Sequence, residues 1–223
     1  MQITDQLLIT NEDNLNLMSR YPDGHFDLAI VDPPYGLNIA KGGSFHNLKG
    51  KRPTNPHLKK NWDSSIPSEE YFKELQRVSK NQIVWGGNYM TEYLPPSRCW
   101  IFWDKLKNVD NYADGELAWT SFDRNTKKVQ IQHNGFLTQD RLMGEGASIH
   151  PTQKPVKLYE WILTNFAEKG FKILDTHLGS GSIALACHNF GFDLVACELD
   201  ADYYKNAIKR IRNHTNQIQI FMP

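Results

Sequence analysis

"FKILDTHLGSGSIALACHNFGFDLVACELD", residues 171–200, decides the fold. A short apolar run, Ile173 and Leu174, ends on Asp175; Gly179 and Gly181 follow, then a stretch with helical period, Gly191, and a second apolar run that ends at Glu198. Strand, tight turn, helix and strand in that order form the unit from which parallel sheets are built. Gly179 and Gly181 stand where the chain must turn sharply from strand into helix, and where a ligand can approach the backbone closely. Residues 179–184, Gly-Ser-Gly-Ser-Ile-Ala, satisfy a loose GxGxxA pattern, although such a turn suits a purely structural role equally well.

The acids around that turn narrow the choice. Glu198 lies seventeen residues past Gly181 at the end of the next strand, a position from which a carboxylate can grip two ribose hydroxyls. Asp175 can receive an amino group, whereas a pyrophosphate would meet it with repulsion. S-adenosylmethionine therefore fits the turn better than NAD.

Working outward, short apolar runs alternate with helix-period stretches along most of the chain, which predicts an α/β protein with a mostly parallel sheet. Strands are expected at "QLLIT", "FDLAIV", "NQIVWGG" and "CWIFWDK", with a further one possible at "KVQIQ". Helices are expected in "NEDNLNLMSR", in "IPSEEYFKELQRVSK" with Ser68 and two glutamates at its start, in "PVKLYEWILTNFAEKG" ending at Gly170, and in "ADYYKNAIKRIRNH". The 223 residues, 40% of them apolar, suit a single domain over 1–223 with loop insertions. Twenty-five basic and 25 acidic residues cancel, so nucleic-acid contact has to come from local patches. Cys99, Cys187 and Cys197 form no CxxC pair, which argues for a reducing compartment and against a metal site. No signal peptide or membrane span is apparent, and a cytoplasmic location is expected.

The second informative stretch is "DLAIVDPPYG", residues 27–36. Asp32 is expected at the carboxyl end of its strand, where open α/β sheets bind ligands. Pro33 and Pro34 stiffen the turn and remove N–H donors, leaving an acid and a carbonyl that can accept both hydrogens of an NH2 group. Tyr35 adds a flat ring on which a base can stack. Alone, this is equally a stiff turn with a solvated Asp. Beside a nucleoside turn it reads as a socket for an exocyclic amino group.

At these residues the sequence resembles the amino-group DNA methyltransferases, in particular the adenine-directed kind in the circularly permuted beta arrangement, in a small phage-like or orphan form. "VDPPYG" is similar to that family's catalytic motif, "ITNEDNL" to the motif near the cofactor adenine, and "HPTQKPVKLYEWIL" to its HPTQKP segment, while "IVWGGNY", "CWIFWDK" and "ELAWTSF" resemble its intermediate motifs. The resemblance implies a Rossmann-like methyltransferase fold with the catalytic motif ahead of the cofactor glycines. It implies catalytic roles for Asp32, Pro33, Pro34 and Tyr35, and cofactor contacts from Asp13, Thr152, Gln153, Lys154, Asp175, His177, Gly179, Gly181 and Glu198. One departure stands out: where the family has Asp-Pro-Phe, this chain has Asp175, Thr176 and His177. We expect His177 to pack beside the cofactor as a neutral ring. No metal is required.

The implied reaction is methylation of the adenine amino nitrogen in double-stranded DNA. The base would be flipped out of the duplex, and restriction-modification is the typical setting. A loop at about 37–62 carries Lys41, Lys49, Lys51, Arg52, Lys59 and Lys60 and, between 41 and 61, no acid, which suits phosphates. An insert at about 121–149, with Arg124, Lys127, Lys128 and Arg141, occupies the family's target-recognition slot. Most tryptophans fit core positions. A homodimer is common among relatives. The competing readings are a catalytically silent nucleic-acid-binding subunit, an amino-group methyltransferase acting on cytosine or RNA, and an NAD-dependent oxidoreductase.

Overall fold

A computed structural model describes residues 1–37, 63–106, 113–134, 137–138 and 152–221. A nine-stranded sheet organises them. In chain order its strands are β1 (Gln2–Thr4), β2 (Leu7–Thr10), β3 (Phe26–Val31), β4 (Ser79–Trp85), β5 (Trp100–Asp104), β6 (Gly115–Thr120), β7 (Lys127–Gln130), β10 (Lys172–Asp175) and β11 (Asp193–Cys197). They lie side by side as β1-β2-β11-β10-β3-β4-β6-β5-β7, and a separate pair, β8 (His133–Asn134) and β9 (Leu137–Thr138), follows β7.

The central strands β2, β11, β10, β3 and β4 run parallel, while β6 is antiparallel to both β4 and β5. The expected mostly parallel α/β sheet is present, and the glycine-turn strand β10 is the middle one of its five parallel strands. β11 continues the chain on one side of β10, and β3, from far earlier in the sequence, lies on the other. That reversal of strand order is the switch point at which doubly wound sheets leave a crevice.

Strand alternation explains why both faces are covered. Leu28, Ile30, Ile83, Ile173 and Ala196 point to one core, shared with helices α3 (Val156–Phe166), α4 (Ser182–Phe190) and α5 (Ala201–Phe221). Ala29, Val31, Val84, Leu174 and Cys197 point to the other, where α1 (Asn14–Met18) and α2 (Glu69–Val78) bring Leu17, Met18, Tyr71, Phe72 and Leu75. Burial on both faces is why these strands read as continuous apolar runs. Among the described residues, no helix is long and apolar enough to cross a membrane.

Two expectations change and one is met. Helix α3 ends at Phe166, with Ala167 already extended; Gly170, at φ +89°, serves the turn into β10 and caps nothing. "KVQIQ" joins the sheet as edge strand β7, burying Val129 against β5. The chain beyond Asn213 continues α5 to Phe221.

Candidate active site

The crevice at β10 is built by three strand ends. Asp32 follows β3, Asp175 closes β10, and Glu198 follows β11, so their carboxylates collect along one edge of the sheet.

At the β3 end, both oxygens of Asp32 are engaged. The Tyr35 hydroxyl donates to Oδ1 at 2.8 Å, and the Lys154 ammonium pairs with Oδ2. Lys154 is only 4% exposed and also lies 3.3 Å from the Tyr35 hydroxyl and 3.3 Å from Glu116 Oε2 on β6. Glu116 in turn pairs with Lys105. Burial lifts the Asp32 carboxyl above its usual range against the pull of Lys154. Burial also opposes charge on Lys154, but Asp32 and Glu116 outweigh it and raise its pKa. Glu116 is disfavoured by burial, yet Lys154 and Lys105 hold it at about 2.

The Asp-Pro-Pro-Tyr turn has an anchor that the motif does not contain. Asp63, 2% exposed, accepts the backbone N–H of Tyr35 at 3.0 Å and of Gly36 at 2.9 Å through Oδ1. The Tyr35 ring lies against Gly86, where a Cβ would come within 2.2 Å of it, and stacks on Tyr89 at 5.3 Å. The free aromatic face expected of Tyr35 is therefore partly taken by Tyr89, which is itself exposed.

At β10 and β11, the glycine turn is tied to the acid behind it. Gly179 N–H donates to Glu198 Oε2 and Asp200 N–H to Oε1, each at 2.9 Å. Gly179 and Gly181 take φ of +54° and +77°, a region open to glycine at little cost. Asp175 accepts the backbone N–H of His177 at 2.9 Å, and burial drives its pKa from 3.8 up to about 8. A buried acid perturbed this far beside a glycine turn suits a cationic ligand, and Glu198 retains lone pairs for hydroxyls. The residues fit a nucleoside sulfonium that bears an amino acid.

His177 is held neutral. Burial lowers its pKa to about 3. Asn14 Nδ2 donates to Nε2 at 3.2 Å, which leaves Nδ1–H to donate to Thr176 Oγ1 at 3.0 Å. Thr176 shares a 2.7 Å hydrogen bond with the Tyr71 hydroxyl, and the Tyr71 ring meets the imidazole edge-on. A small polar network thus replaces a phenyl ring.

Several expected site residues sit elsewhere or do other work. Asp13 caps α1, accepting Leu15 and Asn16 N–H. Lys154, expected with Thr152 and Gln153 at the cofactor's methionine end, pairs with Asp32 and lies beside Glu116, two partly buried acids. Arg124 follows β6 at the sheet edge opposite Asp32. It donates to the Asn165 carbonyl and covers the Phe122 and Phe166 rings. Lys127 and Lys128 begin β7, also away from Asp32, and Lys128 pairs with Asp104. The described part of the insert therefore brings none of these three cations to the crevice. Lys41, Lys49, Lys51, Arg52, Lys59, Lys60 and Arg141 lie outside the described residues. Trp85, Trp103 and Trp119 are core, as expected.

Sequence reasoning missed Asp63, Glu116, Lys105 and Asn14. Asp63 could have been noticed as the acid that ends an acid-free basic run, and Glu116 as an acid set inside an apolar strand.

A family model described as DNA methylase matches residues 88–209. The Type II methyltransferase M.HpaI of Haemophilus parainfluenzae is 23% identical over 250 residues, covering 95% of this chain and 76% of that protein. The Type II methyltransferase M2.DpnII of Streptococcus pneumoniae is 25% identical over 252 residues, with 95% and 92% covered. Among solved structures, M1.HpyAVI in complex with SAM superposes with a TM-score of 0.56 at 18% identity, covering 92% of this chain and 99% of that one. The cytosine-N4-specific PvuII DNA methyltransferase gives 0.58 at 14%, covering 98% and 94%. At these identities the structural likenesses establish a common fold.

Proposed function

The chain belongs to the DNA methylase family, and from that premise we propose that it transfers a methyl group from S-adenosylmethionine to the exocyclic amino nitrogen of adenine in double-stranded DNA. The observation that carries the reading is the juxtaposition, across neighbouring strands β3 and β10, of an amino-group socket at Asp32 with a nucleoside-binding turn at Asp175, Gly179, Gly181 and Glu198. When bound, the cofactor supplies an electrophilic methyl group on a sulfonium. Asp175 would hold its amino group and Glu198 its ribose hydroxyls.

The chain's own residues supply the rest. An aromatic amine is a poor nucleophile because its lone pair is delocalised into the ring. Asp32, with the Pro33 carbonyl, accepts hydrogen bonds from its hydrogens and favours the tetrahedral, positively charged nitrogen of the transition state. Tyr35 steadies the Asp32 carboxylate through Oδ1, and Tyr35 and Tyr89 form an aromatic wall beside the flipped base. Asp in the first place of the motif supports adenine over cytosine. Target contacts belong to the stretch after Gln130, which leaves β7 on the crevice side, and to the basic residues Lys41, Lys49, Lys51, Arg52, Lys59 and Lys60.

The test is incubation with unmethylated DNA and methyl-labelled S-adenosylmethionine, followed by nucleoside mass spectrometry. Labelled N6-methyladenine is expected, and Asp32→Ala should abolish it while retaining cofactor binding. Labelled N4-methylcytosine would overturn the base assignment, and labelled RNA without labelled DNA would overturn the substrate.

A further inference from the structure

Lys154 has two partly buried acids beside it and sits between them unequally. Its ammonium is drawn tightly to Asp32 Oδ2, while Glu116 Oε2, 3.3 Å away, is buried with no well-formed hydrogen bond. A buried acceptor left in that condition is costly. It also faces the Lys154 ammonium, which a small shift could deliver.

The incoming amino group needs what Lys154 now holds. Asp32 must accept hydrogens from a nitrogen that becomes positive, and an ammonium on the same carboxylate opposes both steps.

Resting on the methyltransferase reading, we propose that Glu116 is a positioning residue: it is the second docking point for Lys154, and it draws the ammonium off Asp32 when the target base enters. Lys154 and Glu116 then form a reversible latch on the catalytic carboxylate. Closed, Lys154 keeps Asp32 paired while no base is present. Open, it pairs with Glu116, and Asp32 is left to the base. Lys105, fixed against Glu116 Oε1 from the far side, keeps Glu116 ionised and in place. The titratable groups facing Asp32 are Tyr35 on its own turn, Lys154 and Tyr159 from the α3 region, Glu116 on β6 and Asp175 on β10.

Glu116→Gln keeps the shape and removes the pull. It should lower kcat on DNA roughly tenfold or more, with cofactor Kd and the thermal transition near wild type, and Glu116→Asp should recover part of the rate. In a Lys154→Met background, adding Glu116→Gln should cost nothing further, because no ammonium remains to be moved. The acid limb of the rate profile should move to lower pH in Glu116→Gln, where Lys154 stays on Asp32, and to higher pH in Lys154→Met. Removal of either charge moves the limb in these directions by Coulomb interaction alone, so the decision rests on the kcat loss in Glu116→Gln and on its disappearance in the Lys154→Met background.

A wild-type rate in Glu116→Gln, or equal losses in both backgrounds, overturns the latch. If the wild-type protein transfers no methyl group, the methyltransferase reading fails, and the latch is still decided by nitrogen-15 spectra of the Lys154 ammonium with and without an adenine-containing oligonucleotide. A shift on binding in the wild type that is lost in Glu116→Gln supports the latch, and no shift in the wild type, or the same shift in both, overturns it.

Discussion

Asp175 shows how much one side chain's surroundings can alter its chemistry. Burial raises its pKa from 3.8 to about 8, so across that range the folded chain binds a proton that the unfolded chain has released. Stability of the unliganded protein should therefore fall as pH rises from about 4 to about 8, and Asp175→Asn should flatten that slope in urea titrations. A ligand ammonium reverses the preference by favouring the ionised acid. Cofactor affinity should rise with pH up to about 8 and decline beyond it as the ligand's own amine deprotonates, near ~8. Calorimetry across that range tests this, and a pH-independent affinity would remove Asp175 from the amino group. His177 teaches the complementary lesson. Its neutrality could be expected from the motif, but the Asn14–His177–Thr176–Tyr71 network that fixes its tautomer could not, because its members come from α1, α2 and the β10 turn.

Between elements, close approach matters more than propensity. Gly86 and Gly87 follow β4, and the space where a side chain would stand at Gly86 is filled by the Tyr35 ring. Gly86→Ala should displace Tyr35, break its hydrogen bond to Asp32 and lower methylation by roughly tenfold or more, while the glycine turn two strands away keeps its cofactor affinity. Parallel rate and binding measurements separate the two effects, and a joint loss would point to general unfolding. "IVWGGNY" was legible as a strand ending in glycines, but the ring those glycines accommodate was not. Helix boundaries show the same limit: the start of α2 at Ser68 was readable from its cap, whereas α3 stops before its expected glycine, and Phe166 at that end packs against Phe122.

Across the whole molecule, the sheet gives the two edges of the protein different tasks. Arg124 lies on the edge away from Asp32 and bridges the β6–β7 connection to the end of α3. Arg124→Ala should cost about 1–2 kcal/mol in stability, from a charged hydrogen bond and two cation–π contacts, and leave DNA affinity unchanged in a salt titration. Weaker DNA binding would return Arg124 to the nucleic-acid surface. The sequence by itself determined the α/β class, the order of catalytic and cofactor motifs, the turn acids and the neutral His177, because each is written in contiguous residues whose backbone demands are local. Only the tertiary structure decided that Lys154 pairs with Asp32, that Asp63 anchors the Asp-Pro-Pro-Tyr turn, that Glu116 faces Lys154, and that Arg124 packs on the end of α3. Those partners come from different strands and loops, and strand order, which no local pattern encodes, determines which charges share a low-dielectric crevice.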